Sequence, residues 1–338
     1  MPLSLTRDRL VSLLQASVDC RVAVVGDAML DVYLQGDVDR ISPEAPVPVV
    51  RVRERRHALG GAANVAQNVR AIGAACDLVA SVGDDMGGRQ LRAMLAEIDA
   101  ANPACLVQVV RPTTTKTRIV ARSQQLARVD EEDDADLDGE EIERLLAAVQ
   151  EAVSAADALV LEDYNKGVLV PRVIRAAMDA ARAKHIPIVV DPKYRNFFEY
   201  RGATIFKPNR RELDAALGAA VDLEHPEALP NTFSRLGVDH LLLTLGEHGM
   251  ALISAGGGVK RVPTMAREVY DVVGAGDTVT AYLAAILAAG GTAVEAAVIA
   301  NYAAGVEVGK LGAATVSAEE VLDAYDAFFA GHLERAGS

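Results

Sequence analysis

Between residues 158 and 243 short, predominantly apolar runs alternate with helical stretches, and that rhythm leaves few folds open. The runs 158–161, 186–190, 204–206 and 240–243 are apolar but for Thr204 and His240 at the starts of the last two, so each reads as a strand buried on both faces. Helical periodicity at 140–153, 171–184 and 211–217 separates them. Strands of that kind joined by helices make a parallel sheet covered on both sides. A further buried strand at 21–25 ends at Gly26-Asp27. Residues 250–254 and 259–262 read as an antiparallel pair at a sheet edge, and helices from Thr278, Thr292 and Ser317 close the chain. Nearer the N-terminus, 62–72 is helical, 78–82 and 106–110 are strands, and 116–121 with 126–130 form a hairpin through 122–125. The prolines of residues 42–48 confine 47–52 to an edge strand or flap.

The 338 residues suffice for one large α/β domain or two ordinary ones. About half are hydrophobic and only 4% aromatic, which suits helices packed on a buried sheet. A net charge of -13 disfavours nucleic acid and anionic membrane, so an anionic substrate needs a local cluster of cations. No apolar run reaches the roughly 18 residues that span a bilayer. Residues 1–20, interrupted by Arg7, Asp8 and Arg9, read as an amphipathic helix of a cytoplasmic protein. Cys20, Cys76 and Cys105 lack metal or disulfide spacing and read as small buried residues in a reducing compartment. The acidic run 130–143 reads as a solvated loop and a helix start.

The chemistry concentrates in Asp271-Val272-Val273-Gly274-Ala275-Gly276-Asp277-Thr278. Two glycines permit a tight turn, and an apolar helix follows. Free N–H groups at a helix start make an anion site. An aspartate there repels a bound phosphate, but it suits a base that takes a hydroxyl proton while the amides hold developing charge. Two other readings stay open: a helix start with an acidic first turn, and a degenerate dinucleotide fingerprint. Against the latter, the third glycine is replaced by Val279, and no Walker lysine occurs.

Gly274-Ala275-Gly276-Asp277 resembles the C-terminal signature of the ribokinase-like (PfkB) carbohydrate kinases, and Gly60-Gly61-Ala62-Ala63-Asn64-Val65-Ala66 resembles their N-terminal one. The resemblance covers nearly the whole chain. It implies a single α/β domain over 1–338, a three-layer sandwich with a mostly parallel sheet, and a small β lid near 32–58 and 112–128. It implies ATP and Mg²⁺, with a monovalent cation in some members, and a homodimer formed through the lid. Asp277 is then the base, with Gly274, Ala275 and Gly276 as the anion hole. Asp31, Gly60, Gly61 and Asn64 contact the sugar, whereas Asp27 caps locally. Asn209 and Glu212 match the motif that organises Mg²⁺ through water, although the same pair suits a helix capping box. Thr244, Gly246 and Gly249 resemble the nucleotide-phosphate turn. Asn301 and the loop 309–315 fall at the adenine and cation positions.

A narrower resemblance is to kinases of D-glycero-D-manno-heptose 7-phosphate, which serve ADP-heptose and lipopolysaccharide synthesis. It rests on residues 40–50, Thr117-Arg118, Ser123-Gln124-Gln125-Leu126, Asp163-Tyr164, Lys166-Gly167, Asp191-Pro192-Lys193, Glu268-Val269-Tyr270 and residues 309–312. The implied product is the 1,7-bisphosphate. None of the six histidines forms the His-x-Gly-His motif of the nucleotidyltransferase fused to several relatives, which implies a stand-alone kinase. A phosphorylated sugar needs cations, for which Arg118, Arg122, Lys166 and Lys193, with Gln124 beside them, are the candidates. A kinase for another sugar, a dinucleotide-binding oxidoreductase and a non-catalytic sugar sensor are the rival readings.

Overall fold

The computed structural model describes residues 5–336 except 101, 103, 123, 224–228, 266–268, 311 and 313, and no side chain at 229–230 or 331–336. Ser123, Glu268, Leu311 and Ala313 therefore lie outside the described residues. The chain runs α1 (Arg7–Ser17), β1 (Arg21–Gly26), β2 (Ala28–Ile41), β3 (Pro48–Gly61), α2 (Ala62–Ile72), β4 (Ala75–Gly83) and α3 (Met86–Glu97). It continues through β5 (Leu106–Val109), β6 (Thr115–Ala121), β7 (Gln124–Glu131), α4 (Gly139–Ala155), β8 (Ala158–Glu162), α5 (Pro171–Ala183) and β9 (Ile188–Asp191). Then follow β10 (Ile205–Phe206), α6 (Arg210–Leu217), α7 (Leu229–Leu236), β11 (His240–Thr244), β12 (Met250–Ser254) and β13 (Val259–Val262). The last elements are α8 (Ala275–Ala288), α9 (Ala293–Glu307) and α10 (Ala318–Ala336).

The central sheet has the order β13-β12-β11-β10-β9-β8-β1-β4-β5. Its pairs are parallel except β11–β12 and β12–β13, so the antiparallel pair stands at the edge, as its sequence suggested. Alternation along β1 makes the three layers visible. Val22 and Val24 join one core with α2 and α8, while Ala23 and Val25 join another with α4 and α5. Helix α8 is buried from Asp277 to Ile286, as a helix apolar all round must be. Among the described residues no helix is long and apolar enough to cross a membrane. The three cysteines are free, Cys76 and Cys105 buried and Cys20 half-buried.

A second sheet, β3-β2-β6-β7, stands apart from the first. Its main departure from the sequence reading is β2, which begins two residues after β1 and runs fourteen residues beside β3. Asp31 consequently lies within β2 and not at the end of the first strand. Beyond it the outer half of β2 is half-buried to exposed and that of β3 largely exposed, so neither a continuous apolar run nor a clean alternation announces them. Helices α3 and α7 were also not expected. The acidic residues 130–136 are exposed and α4 begins at Gly139, as read.

Candidate active site

Strands β1, β8, β9 and β10 all deliver their C-terminal ends to one place, where open α/β sheets bind ligands. Asp27 follows β1, Glu162 ends β8, Asp191 ends β9 and Lys207 follows β10. The N-terminus of α8 comes down over these ends. Gly274 adopts φ 97°, a left-handed conformation that turns the chain into the helix. The first helical bond runs from the Thr278 N–H to the Gly274 carbonyl at 3.0 Å, leaving the N–H groups of Ala275, Gly276 and Asp277 without a helical acceptor. A side chain at Gly276 would find the Lys207 Nζ at 3.6 Å and Asp191 Oδ2 at 3.9 Å, so this turn lies directly over the lysine–aspartate pair.

Asp277 is buried, and both its oxygens accept hydrogen bonds. Asn64 Nδ2 donates to Oδ2 at 2.8 Å and the Tyr164 hydroxyl donates to Oδ1 at 2.9 Å. Burial lifts its carboxyl to about 6; the Asn64 bond opposes the rise, Asp191 adds to it, and Tyr164 and Lys207 oppose it. Burial, then the charge of Asp277, keeps the Tyr164 hydroxyl far above its usual range, so it remains a donor. Asn64 is itself oriented. Asn68 Nδ2 donates to the Asn64 carbonyl at 3.0 Å and to its Oδ1 at 3.3 Å, and Thr278 donates to Asn68 Oδ1 at 3.2 Å. The Asn64 amide therefore points its nitrogen at the carboxylate.

Oxygens of Glu162, Asp191 and Asp277 lie within 4.8 Å of one another. Such a trio can converge on a cation, and Lys207 already supplies one: its Nζ donates to Asp191 Oδ2 at 2.7 Å, with both side chains buried. Burial would lower the Lys207 ammonium, but Asp191 and Glu162 outweigh it and raise it. Among the described residues neither oxygen of Glu162 has a hydrogen-bond partner. Burial first, then Asp191 and Asp277, push its carboxyl well above the usual range.

Asp27 acts as scaffolding. Its carboxylate accepts from the N–H groups of Tyr164 (2.8 Å), Lys166 (2.9 Å) and Val168 (3.1 Å), fixing the loop that presents Tyr164. Gly61, at φ 56°, leads into α2 where an added Cβ would meet the Asp27 carbonyl at 2.4 Å, and one at Gly60 would meet Asp31 Oδ2 at 2.9 Å. A side chain at Gly61 would press on backbone, whereas one at Gly60 would displace the side chains of Met29 and Asp31.

Other expected residues fall into groups. Asn209, Thr244, Gly246, Gly249, Gly276 and Asn301 line one cavity of about 770 Å³ beside α8. Within it the Asn301 amide donates to the Pro263 carbonyl at 2.7 Å. Asn209 and Glu212 form the capping box of α6, Asn209 Oδ1 accepting from the Glu212 N–H and Glu212 Oε2 from the Asn209 N–H, both at 2.9 Å. Glu212 Oε1 accepts from Lys193 at 2.6 Å. Burial would lower Lys193, but Asp191 and Glu212 reverse this and raise it. An ionised carboxylate offers about four lone-pair sites, so Glu212 can still accept from a metal-bound water, and the donor set fits Mg²⁺ held in that manner.

Arg118 pairs with Asp31 at 2.5 Å. Lys166 pairs with Glu132 at 2.7 Å. Arg122 and Gln124 are not brought to Asp277. They sit at the β6–β7 tip, past the register Gly36↔Ala121, five residues along β2 from Asp31 and hence roughly 17 Å away. Sequence reasoning did not assign Tyr164, Asn68, Glu162, Asp191 or Lys207 to the site. Strand-end position was the available signal for three of them, since Glu162, Asp191 and Lys207 all follow apolar runs.

The family model described as pfkB family carbohydrate kinase matches residues 20–320. A protein of Rhodospirillum rubrum named bifunctional protein HldE is 46% identical over 306 residues, covering 90% of this chain and 62% of the relative. The HldE of Caulobacter sp. strain K31 is 46% identical over 320 residues, 93% of this chain and 64% of the relative. The chain thus spans under two thirds of the length of these relatives. Among solved structures, Arabidopsis thaliana ribokinase complexed with ribose and ATP superposes with a TM-score of 0.70 at 21% identity, over 90% of this chain and 98% of that one. Escherichia coli phosphofructokinase-2, in its tetrameric inhibited form, gives 0.74 at 18%, over 91% and 98%. These two establish the fold: a ribokinase-like α/β sandwich with a second small sheet.

Proposed function

Because the chain belongs to the pfkB family of carbohydrate kinases, we propose that it transfers the terminal phosphoryl group of ATP to the anomeric C1 hydroxyl of D-glycero-β-D-manno-heptose 7-phosphate, in the cytoplasmic supply of ADP-heptose for lipopolysaccharide. The observation that carries the transfer chemistry is the Asp277 carboxylate, buried at the start of α8 beside three amides that lack a helical acceptor. Asp277 takes the proton of the C1 hydroxyl as that oxygen bonds to the terminal phosphorus. The bond from phosphorus to the bridging oxygen breaks, and ADP leaves. The N–H groups of Ala275, Gly276 and Asp277 hold the charge that grows on the transferred oxygens. ATP occupies the 770 Å³ cavity, with its phosphates toward Thr244, Gly246 and Gly249. Asn209 and Glu212 would hold Mg²⁺ through water, and the ion would supply charge to offset the phosphates. The residues matching heptose 7-phosphate kinases support the choice of sugar. The family and the second sheet argue against a dinucleotide-dependent oxidoreductase.

An ATP-consumption assay over a panel of sugars tests this. The heptose 7-phosphate is expected to have the highest kcat/KM, above fructose 1-phosphate, nucleosides and unphosphorylated heptose. Preference for an unphosphorylated sugar would remove the substrate from the proposal while leaving the kinase.

The second sheet acts as a lid that excludes water from the transfer. Its strands leave Ile41, Val52, Leu126 and Val129 exposed, an apolar rim suited to pairing with a second copy. Sedimentation at micromolar concentration is expected to give twice the chain mass, and a monomer there would exclude the lid-paired dimer.

A further inference from the structure

Of the cations expected to select a phosphorylated sugar, Arg122 lies exposed at the β6–β7 tip, and the cations nearer the site are already balanced by carboxylates. Arg118 is paired with Asp31, Lys193 with Glu212, Lys166 with Glu132, Lys207 with Asp191, and Lys116 with both Glu132 and Asp130. A phosphate dianion recruited by any of them must first compete with an existing partner. Arg56 is different. It is half-buried, and among the described residues its side chain has no acidic partner and no hydrogen bond. Its guanidinium instead lies over the Tyr33 ring, 4.5 Å from the centroid.

Strand register places Arg56 on the sugar side of the second sheet. Across β2 and β3, Met29 faces Gly60, Asp31 faces Ala58 and Tyr33 faces Arg56. Across β2 and β6, Tyr33 faces Arg118. Directly paired residues share a face, so Asp31, Tyr33, Arg56, Arg118 and the Gly60 that abuts Asp31 all look the same way. Arg118 lies 5.3 Å from the Tyr33 centroid, so the ring is approached by two guanidiniums, of which only Arg118 is neutralised. Arg56 also reaches across the cleft. A side chain added at Gly312 would meet its Nη2 at 2.7 Å, so the guanidinium touches the loop that follows α9.

Distance agrees with this placement. Gly60 is at the end of β3 nearest Asn64 and Asp277. Arg56 is four residues back, roughly 13 Å along the strand. A sugar whose acceptor carbon sits at Asp277 and whose phosphate hangs from the far end of the molecule points along that line, and the arginine side chain shortens the remaining gap.

We infer that Arg56 is the specificity-determining residue for the distal phosphate of the sugar, its guanidinium gripping two phosphate oxygens while stacked on Tyr33. This rests on the proposed phosphorylated substrate and deepens it by naming the contact. A planar guanidinium fixed against an aromatic ring is pre-organised for bidentate phosphate binding, and lysine cannot reproduce that geometry.

The test measures kcat/KM of wild type, Arg56→Leu, Arg56→Lys and Arg55→Leu on heptose 7-phosphate and on the unphosphorylated heptose, with the KM for ATP and the circular dichroism spectrum of each. In wild type the phosphorylated sugar is expected to be preferred. Arg56→Leu is expected to lose about 10- to 100-fold on it, the size of one charge-assisted contact, mainly through KM. Its kcat/KM on the unphosphorylated sugar and its KM for ATP should not move. Arg56→Lys is expected to fall between, and Arg55→Leu, one residue along and on the opposite face, to match wild type. Three results overturn the assignment: an equal loss on both sugars, no loss on the phosphorylated one, or the same loss from Arg55→Leu. If wild type itself shows no preference for the phosphorylated sugar, the substrate reading fails together with it. A preference that survives Arg56→Leu removes Arg56 alone.

Discussion

Asp277→Asn is expected to lower kcat by roughly 10²–10⁴-fold, the usual contribution of a general base, while nucleotide affinity stays as in wild type. The substitution keeps the shape of the side chain and its place beneath the Asn64 amide and the Tyr164 hydroxyl. It removes a negative charge buried within 4.8 Å of Asp191 and Glu162, so the variant should unfold no earlier than wild type. Lost turnover in a protein that is at least as stable can then be assigned to chemistry. Wild type carries a second signature. Burial raises the Asp277 carboxyl to about 6, and only its ionised form can take a proton, so kcat should climb as pH rises through that value. The residual activity of Asp277→Asn should lack this limb. Near-normal turnover in the variant, or an acid limb that survives the substitution, would take Asp277 out of its role.

How much could be read before the coordinates depended on whether burial or pairing made each feature. Helix α2 was expected at 62–72 and found there, because its apolar face and the glycine pair before it are local signals. The edge pair β12–β13 was legible for the same reason. The long strands β2 and β3 were only partly seen. Their outer residues, such as Arg51, Arg53 and Arg55, are exposed charges that belong to a strand through cross-strand hydrogen bonds, and no side-chain pattern reports those. At the site, Asp277 stood out because a charged residue in a Gly-Ala-Gly turn demands an explanation. Tyr164, Asn68 and Glu162 gave no such signal. Tyr164 reaches Asp277 across 113 positions of sequence, and Thr278 reaches Asn68 across 210, so each depends on a long-range arrangement. Asn64 was expected at the sugar, and its contact with Asp277 appears only once Asn68 is seen to fix the direction of its amide. The cations were legible as a group but not as pairs, which hid the difference between Arg118 and Arg56.

Lys207→Met should destabilise the fold by about 3–5 kcal/mol, the cost of stripping one partner from a buried ion pair. For a domain of this size that is a fall in Tm of roughly 5–15 °C. Methionine fills much the same volume, so packing is not the cause. What remains is Asp191 without its cation, beside Glu162 and Asp277 in a space that solvent hardly reaches. Three clustered carboxyls cannot all ionise there, and the variant relieves the strain by binding protons. That sets the pH dependence. Lys207 holds down the raised carboxyls of Glu162 and Asp277, so without it their folded values move further above the unfolded ones, and the folded state loses stability as pH rises through them. The deficit against wild type should therefore be smallest in acid and grow toward alkaline pH. Adding Asp191→Asn to Lys207→Met removes the orphaned charge and should recover part of the loss. In the single variant the remaining Asp191 charge, no longer offset by Lys207, should also move the acid limb of kcat to higher pH. Thermal unfolding across pH measures the first effect and steady-state turnover the second. Equal stability of Lys207→Met and wild type at every pH would mean that this lysine does not balance the charges beneath the anion cradle.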